Sequence, residues 1–128
     1  MMSNPPIVYH FSEMPQETLL DGFVSRTALR TDNALVTFNF LPPHKGKVAP
    51  HHHPFDQLII IVQGTMKVEV DGVEYELPPG SALLVPPNAM HTGWVVGDET
   101  VLNIDVFAPV RQDYLHLTAH QREQFTES

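Results

Sequence analysis

The chain contains no cysteine, which excludes disulfides and thiolate metal ligands and fits a reducing compartment. Basic residues are scarce: 7 Lys and Arg stand against 15 Asp and Glu, giving a formal charge of −8. Such a field repels polyanions, so neither nucleic acid nor an anionic membrane surface is expected as a partner. A small anionic ligand would need cations placed locally to overcome it. Long apolar runs are missing too, and nothing approaches the roughly 18 residues of a membrane span. The opening MMSNPPIVYHFSEMP has neither a basic start nor an apolar core, so no secretory signal is expected and a cytoplasmic location is. No convincing amphipathic helix occurs before residue 110.

What is present is a series of short apolar runs broken by 12 prolines and 7 glycines. At 128 residues the chain is one domain's worth, so a single domain over 1–128 is expected. VSRTALR (24–30) and ALVTFNFL (34–41) read as strands, as do QLIIIVQ (57–63) and TMKVEV (65–70). Asp71-Gly72 is the best hairpin signal. Around it Met66, Val68 and Val70, then Val73, Tyr75 and Leu77, alternate with polar residues as in a half-buried ribbon. SALLV (81–85), MHTGWVV (90–96) and ETVLNIDVF (99–107) complete the set, and only the tail after Pro109 reads as helical. Short strands with turn signals at intervals near 8–12 residues predict an all-β sandwich or barrel. A double-sheet jelly roll around a central cavity is the best fit, closed by a short C-terminal helix.

The segment HHHPFDQ (51–57) is the most unusual feature. Side chains alternate along an extended strand, so His51 and His53 share one face and His52 takes the other. Two imidazoles spaced in that way can converge on one ion. Gln57 is placed to add an oxygen, and His91, just after the PPN turn, to add a third imidazole. Together His51, His53, Gln57 and His91 form a candidate site for one divalent metal, with room left for water or substrate. Surface or structural roles are expected for His10, His44, His52, His116 and His120.

These motifs resemble the cupin superfamily of small jelly-roll barrels. The first cupin motif reads GKVAPHHHPFDQLIIIVQG (46–64) and the second GSALLVPPNAMH (80–91), so the resemblance spans about residues 35–108. Asn88 stands where the second motif usually has glycine and Val95 where it usually has asparagine. Gln57 replaces the usual glutamate. Without an anionic ligand a bound ion keeps its full +2 charge, which favours Lewis-acid chemistry on an anionic substrate oxygen over oxygen activation. Zinc, nickel, iron and manganese all suit three imidazoles and an amide.

A second cluster lies in ETVLNIDVFAPVRQDYL (99–115). Asn103, Asp105 and Phe107 share one strand face, and Phe107 argues that this face lines a pocket rather than meeting water. Arg111 follows near the barrel mouth. This ending, with HHHPFDQ, is similar to one cupin branch, the pectin-degradation proteins, which linearise 4,5-unsaturated uronates to keto acids. The resemblance implies His51, His53, Gln57 and His91 as metal ligands, and Asp105, Phe107 and Arg111 as functional residues. In chemical terms, Asp105 suits a proton shuttle. Arg111 suits a bidentate clamp on a sugar-acid carboxylate, with Phe107 beside it against the substrate. Two other classes stay open: another metal-dependent cupin enzyme, either a polyketide-type cyclase or a dioxygenase, or a non-enzymatic sugar- or metal-binding cupin. Finally, Leu58, Ile60 and Val62 face away from Gln57, Ile59 and Ile61. Both faces of that strand are apolar, which predicts a homodimer packed through the outer one.

Overall fold

The computed structural model describes residues 5–19, 22 and 24–121. Nine strands among these residues form two antiparallel sheets. They are β1 (Glu17–Leu19), β2 (Val24–Arg30), β3 (Leu35–Leu41), β4 (Gln57–Gln63), β5 (Thr65–Val70), β6 (Val73–Leu77), β7 (Ala82–Val85), β8 (His91–Val96) and β9 (Val101–Phe107). Six strands lie in the order β1-β2-β3-β9-β4-β7, and three in the order β6-β5-β8. The architecture is the all-β jelly roll that the spacing of turns predicts. The last strand, β9, sits between β3 and β4, so it supplies the middle of the larger sheet.

Alternation decides which residues fill the barrel. On β9, Val101, Asn103, Asp105 and Phe107 are buried while Leu102, Ile104 and Val106 are only half-buried. On β4, Gln57, Ile59 and Ile61 are buried. The inner apolar side chains include Val24, Leu41, Ile59, Ile61, Met66, Val68, Val85 and Val101. A second cluster of Ala28, Leu35, Phe107 and Leu117 packs under the C-terminal helix. That helix is there as expected, but as a 3-10 helix over Gln112–Gln121. Its end is tied to β2, because the Gln121 side chain accepts from the Arg30 amide at 2.9 Å and donates to the Arg30 carbonyl at 3.1 Å. The expected helical stretch beyond residue 121 lies outside the described residues. No described helix is long and apolar enough to cross a membrane.

One arm of the Asp71-Gly72 hairpin departs from the expected half-buried ribbon. Val73 is 53% and Tyr75 42% exposed, and on β6 only Leu77 is buried. β6 is an edge strand of the smaller sheet, flanked by β5 alone, and its side chains before Leu77 stay open to solvent. In the N-terminal region β1 and a one-turn 3-10 helix at Phe11–Glu13 arise from sequence with no clear periodic signal.

Two turn positions explain motif residues. Asn88 has φ +65°, a left-handed conformation that glycine takes freely and asparagine tolerates, which is why asparagine can replace the motif glycine there. Gly64 has φ +74°, and a Cβ added to it would meet Val101 Cγ2 at 2.8 Å and the Thr100 carbonyl oxygen at 3.0 Å. Both penalties apply at Gly64, whereas at Gly72 (φ +85°) a Cβ would meet nothing within 4 Å. Gly64→Ala is therefore expected to destabilise the fold by about 2–4 kcal/mol, the sum of a left-handed penalty and overpacking. Gly72→Ala should cost only about 1–2 kcal/mol. Urea melts of the two variants check this; equal losses would mean that Val101 yields freely.

Candidate metal centre

The residues of HHHPFDQ are held in place by backbone bonds to the start of β8. The His51 amide donates to the His91 carbonyl at 3.0 Å and the His91 amide to the His51 carbonyl at 2.9 Å. The Asn88 amide donates to the His53 carbonyl at 2.7 Å. This antiparallel bridge sets the two motifs side by side, and the imidazoles follow. Ring centres lie 4.2 Å apart for His51 and His91, 5.1 Å for His53 and His91, and 6.3 Å for His51 and His53. His53 and His91 are buried, whereas His51 and His52 are exposed. His51 nonetheless lies against His91, which agrees with the strand parity that separates it from His52.

Each of the three clustered imidazoles has its Nδ1 next to a carbonyl oxygen. His51 meets Ala49 at 3.0 Å, His53 meets Phe55 at 2.7 Å and His91 meets Ala89 at 2.9 Å. A carbonyl only accepts, so each Nδ1 carries the proton and each Nε2 keeps a lone pair. Nε2 of His91 is buried and has no partner among the described residues. Nε2 of His53 lies 3.1 Å from Gln57 Oε1. The Gln57 amide also hydrogen-bonds Asp105, and a carboxylate accepts from its NH2 group. Oε1 and the His53 lone pair therefore face the same gap, and a cation shared between them would satisfy both. An orphaned Nε2 on His91 and tautomers fixed by carbonyls are what a divalent ion requires of imidazole ligands. Among the described residues, no three His, Asp or Glu side chains are drawn together tightly enough to hold an ion as they stand. The donor set fits an ion; closure around one would need small side-chain movements.

Behind the imidazoles lies a cavity of about 320 Å³, at the small end of the range for small-molecule sites. His51, Gln57, His91, Asp105, Phe107 and Arg111 all line it. Asp105 faces Thr37 on β3 and Ile59 on β4, deep in the larger sheet. Asn103 donates to its Oδ1 at 2.9 Å and Asn39 to its Oδ2 at 3.1 Å. Burial pushes Asp105 above the ordinary carboxylate range, against the pull of Asn103, Gln57 and the charges of Arg26 and Arg111. Burial favours the protonated form of this carboxyl, which makes Asp105 a candidate proton carrier.

Arg111 is placed by aromatic rings. Its guanidinium carbon is 3.7 Å from the ring centre of Tyr114, 4.9 Å from that of Phe107 and 5.0 Å from that of Phe55. Its Nε and Nη2 already donate to Asp113, at 2.8 and 3.0 Å. The side-on fork expected to clamp a substrate is thus engaged within the chain, and the end-on edge remains. Hydrogen bonds from Arg111, helped by its charge and opposed by burial, hold Asp113 below the usual carboxylate range. Sequence reasoning missed Arg26, Asn39, Phe55 and Tyr114. Two of these carried a usable signal: Arg26 shares strand parity with the inward-facing Val24 and Ala28, and Asn39 with Leu35 and Leu41.

Comparison with known proteins follows the same lines. A family model described as Cupin domain matches residues 39–107. The pectin degradation protein KdgF of Dickeya dadantii (strain 3937) is 33% identical over 106 residues, covering 80% of this chain and 93% of its own. The solved structure of KdgF from Halomonas sp. superposes with a TM-score of 0.72 at 25% identity, covering 82% of this chain and 96% of that one. An RmlC-like cupin from Shewanella frigidimarina NCIMB 400 gives 0.73 at 24% identity, covering 88% and 99%, and speaks for the fold.

Burial lowers the proton affinity of His91, with a smaller push from the neighbouring His51 and His53 and an opposing pull from the Ala89 carbonyl. Its folded value is thus depressed, so the stability it contributes is present above about pH 6.5 and is lost as pH falls. In chelator-treated protein, NMR titration of the imidazole protons should give His91 a midpoint below 6.5. A midpoint for His91 above 6.5 would contradict this burial argument.

Proposed function

The chain belongs to the cupin domain family, and we propose that it is a metal-dependent enzyme that opens the ring of 4,5-unsaturated uronic acids to give keto acids. The observation that carries this reading is that three of the four candidate ligands (His51, Gln57 and His91), a buried carboxyl and an arginine line one cavity of monosaccharide size. Similarity to a pectin degradation protein over most of both chains supports a sugar acid as the substrate class. His51, His53, Gln57 and His91 would hold the ion, zinc, nickel, iron or manganese. Its chemistry there is that of a Lewis acid, which stabilises negative charge developing on a substrate oxygen.

The remaining work falls to the protein. The free edge of Arg111 holds the substrate carboxylate, and Phe107 packs against the ring. Ring opening breaks the bond between the anomeric carbon and the ring oxygen, and the anomeric hydroxyl loses its proton as the aldehyde forms. The ring oxygen is left as the enol oxygen of the C4–C5 alkene. A proton must then be added at C4 to give the ketone, so product and substrate are isomers. Asp105 would carry that proton, and its buried position supports the role by keeping bulk water from competing for it.

A second reading is favoured by the rest of the wall. Leu19, Val24, Leu41, Val48, Met66 and Val68 also line the cavity, and a polyhydroxylated sugar has little use for so apolar a surface. A cyclase substrate with a hydrocarbon body would fill it.

The outer face of the larger sheet supports the expected homodimer. Cross-strand rows Val36-Val106-Leu58-Leu84 and Phe38-Ile104-Ile60-Ala82 make it apolar across β3, β9, β4 and β7, while Ser25 and Thr27 continue the face on β2. Phe11 covers one end, against Phe38 at 4.4 Å, while Leu84 is 61% and Val62 50% exposed. A second copy is the occupant that suits an apolar patch left open toward the β7 edge. Sedimentation at micromolar concentration should give a dimer, and Leu84→Glu a monomer with an unchanged fold. A monomeric native chain would reject the interface.

Purified protein should carry about one divalent ion per chain. His53→Ala and His91→Ala should lose it, and His52→Ala should keep it, as read by elemental analysis. Incubation with unsaturated uronates should bleach the conjugated alkene absorbance. Asp105→Asn should retain the ion and slow that reaction by about 10²–10⁴-fold. Full turnover by a folded, metal-loaded Asp105→Asn protein would remove the proton-shuttle role. An alkene left intact across the uronate panel would turn the choice to the second reading.

A further inference from the structure

Arg26 is a cation lining the cavity that the reaction above does not use. It lies on β2, turned inward between the β3 amide of Asn39 and Tyr114 of the C-terminal helix. Its Nε donates to Asn39 Oδ1, and its Nη1 to the Tyr114 hydroxyl at 3.0 Å. Both partners are neutral, and among the described residues no carboxylate comes within ion-pair distance of it. Asp105 is kept one residue away, because Asn39 takes Arg26 on its oxygen and gives its nitrogen to the carboxylate. The Nη2 group has no partner among the described residues.

The Tyr114 ring that Arg26 touches is the one Arg111 stacks on. The Arg26 guanidinium carbon is 4.9 Å from its centre and that of Arg111 is 3.7 Å. Two like charges held on one ring repel, and a half-buried cation is ordinarily matched by an anion. Asp113 answers Arg111 with its side-on pair; among the described residues nothing answers Arg26 in that way. The free Nη2 of Arg26 and the end-on edge of Arg111 are therefore the unspent donors beside the cavity.

We infer that Arg26 and Arg111 form a paired-arginine site for one carboxylate, each guanidinium taking one oxygen, with Tyr114 fixing the separation between them. The ligand class is a small organic acid. The inference rests on the reading above only in placing such an acid in this cavity, and it does not require ring opening.

The test is binding rather than turnover, using galacturonate, which lacks the reactive alkene, and galactose, its neutral counterpart. Calorimetric titration of the full metal-loaded chain should show clear preference for the acid. Arg26→Gln should weaken galacturonate by about ten- to a hundredfold, the loss of one charge-assisted contact, and leave galactose unaffected. Should Arg26→Gln fail to fold, Arg26→Lys carries the test. It keeps the charge but not the planar fork, and a drop of about tenfold is expected. No preference for the acid in the native protein, or full galacturonate affinity in a folded Arg26 variant, overturns the inference. Arg26-dependent binding without turnover of any unsaturated uronate would keep the anion site and remove the ring-opening reading. Turnover with no dependence of binding on Arg26 would do the reverse.

Discussion

The candidate site depends on one pair of backbone hydrogen bonds, those between His51 and His91. The two residues are far apart in sequence, and no strand contains His51. The bridge nonetheless gives them the register of a β ladder, and it does so where the chain is otherwise irregular. Once it is made, the carbonyls of Ala49, Phe55 and Ala89 lie within reach of the three Nδ1 atoms. The backbone thereby sets both where the imidazoles are and which nitrogen of each is free. Prolines at positions 50 and 54 bracket the histidines and keep that segment extended.

The larger sheet answers with polarity where a barrel core would normally be apolar. Asn39, Asn103 and Asp105 are buried in adjacent strands, and each finds hydrogen-bond partners among the others. Burying a carboxyl is costly, and two asparagine amides together with that of Gln57 offset the cost by donating to it. Gln57 is the joint between the two halves of the site, its nitrogen bound to the carboxyl and its oxygen turned to His53. A glutamate there would set a second carboxylate against Asp105, so the amide and the buried acid are matched to each other.

Much of this was legible in the sequence because β structure has a period of two. Parity alone separated His51 and His53 from His52, and put Asp105 on the inner face with Asn103 and Phe107. Strand ends were marked by proline, glycine and the Asp71-Gly72 turn. What parity cannot supply is the third dimension. Arg26 carries the right parity, but its neighbours Asn39 and Tyr114 come from another strand and from a helix. Arg111 was expected near the barrel mouth and lines the cavity, but its pairing with Asp113 depends on the turn into that helix. β6 failed because alternation records which side could be buried, and an edge strand open to solvent leaves that option unused.

The Arg111–Asp113 pair bears on selectivity. Asp113 is a carboxylate tethered two residues from the guanidinium it binds, so it competes at an effective concentration no free solute reaches. An acid arriving in the cavity gains little by offering the same side-on contact, since it must first displace a partner that cannot diffuse away. Acetate and other simple anions of the surroundings are in that position. On the proposed reading, a ligand would have to reach groups that Asp113 does not, and the pair would then set a threshold that the commonest anions fail to cross.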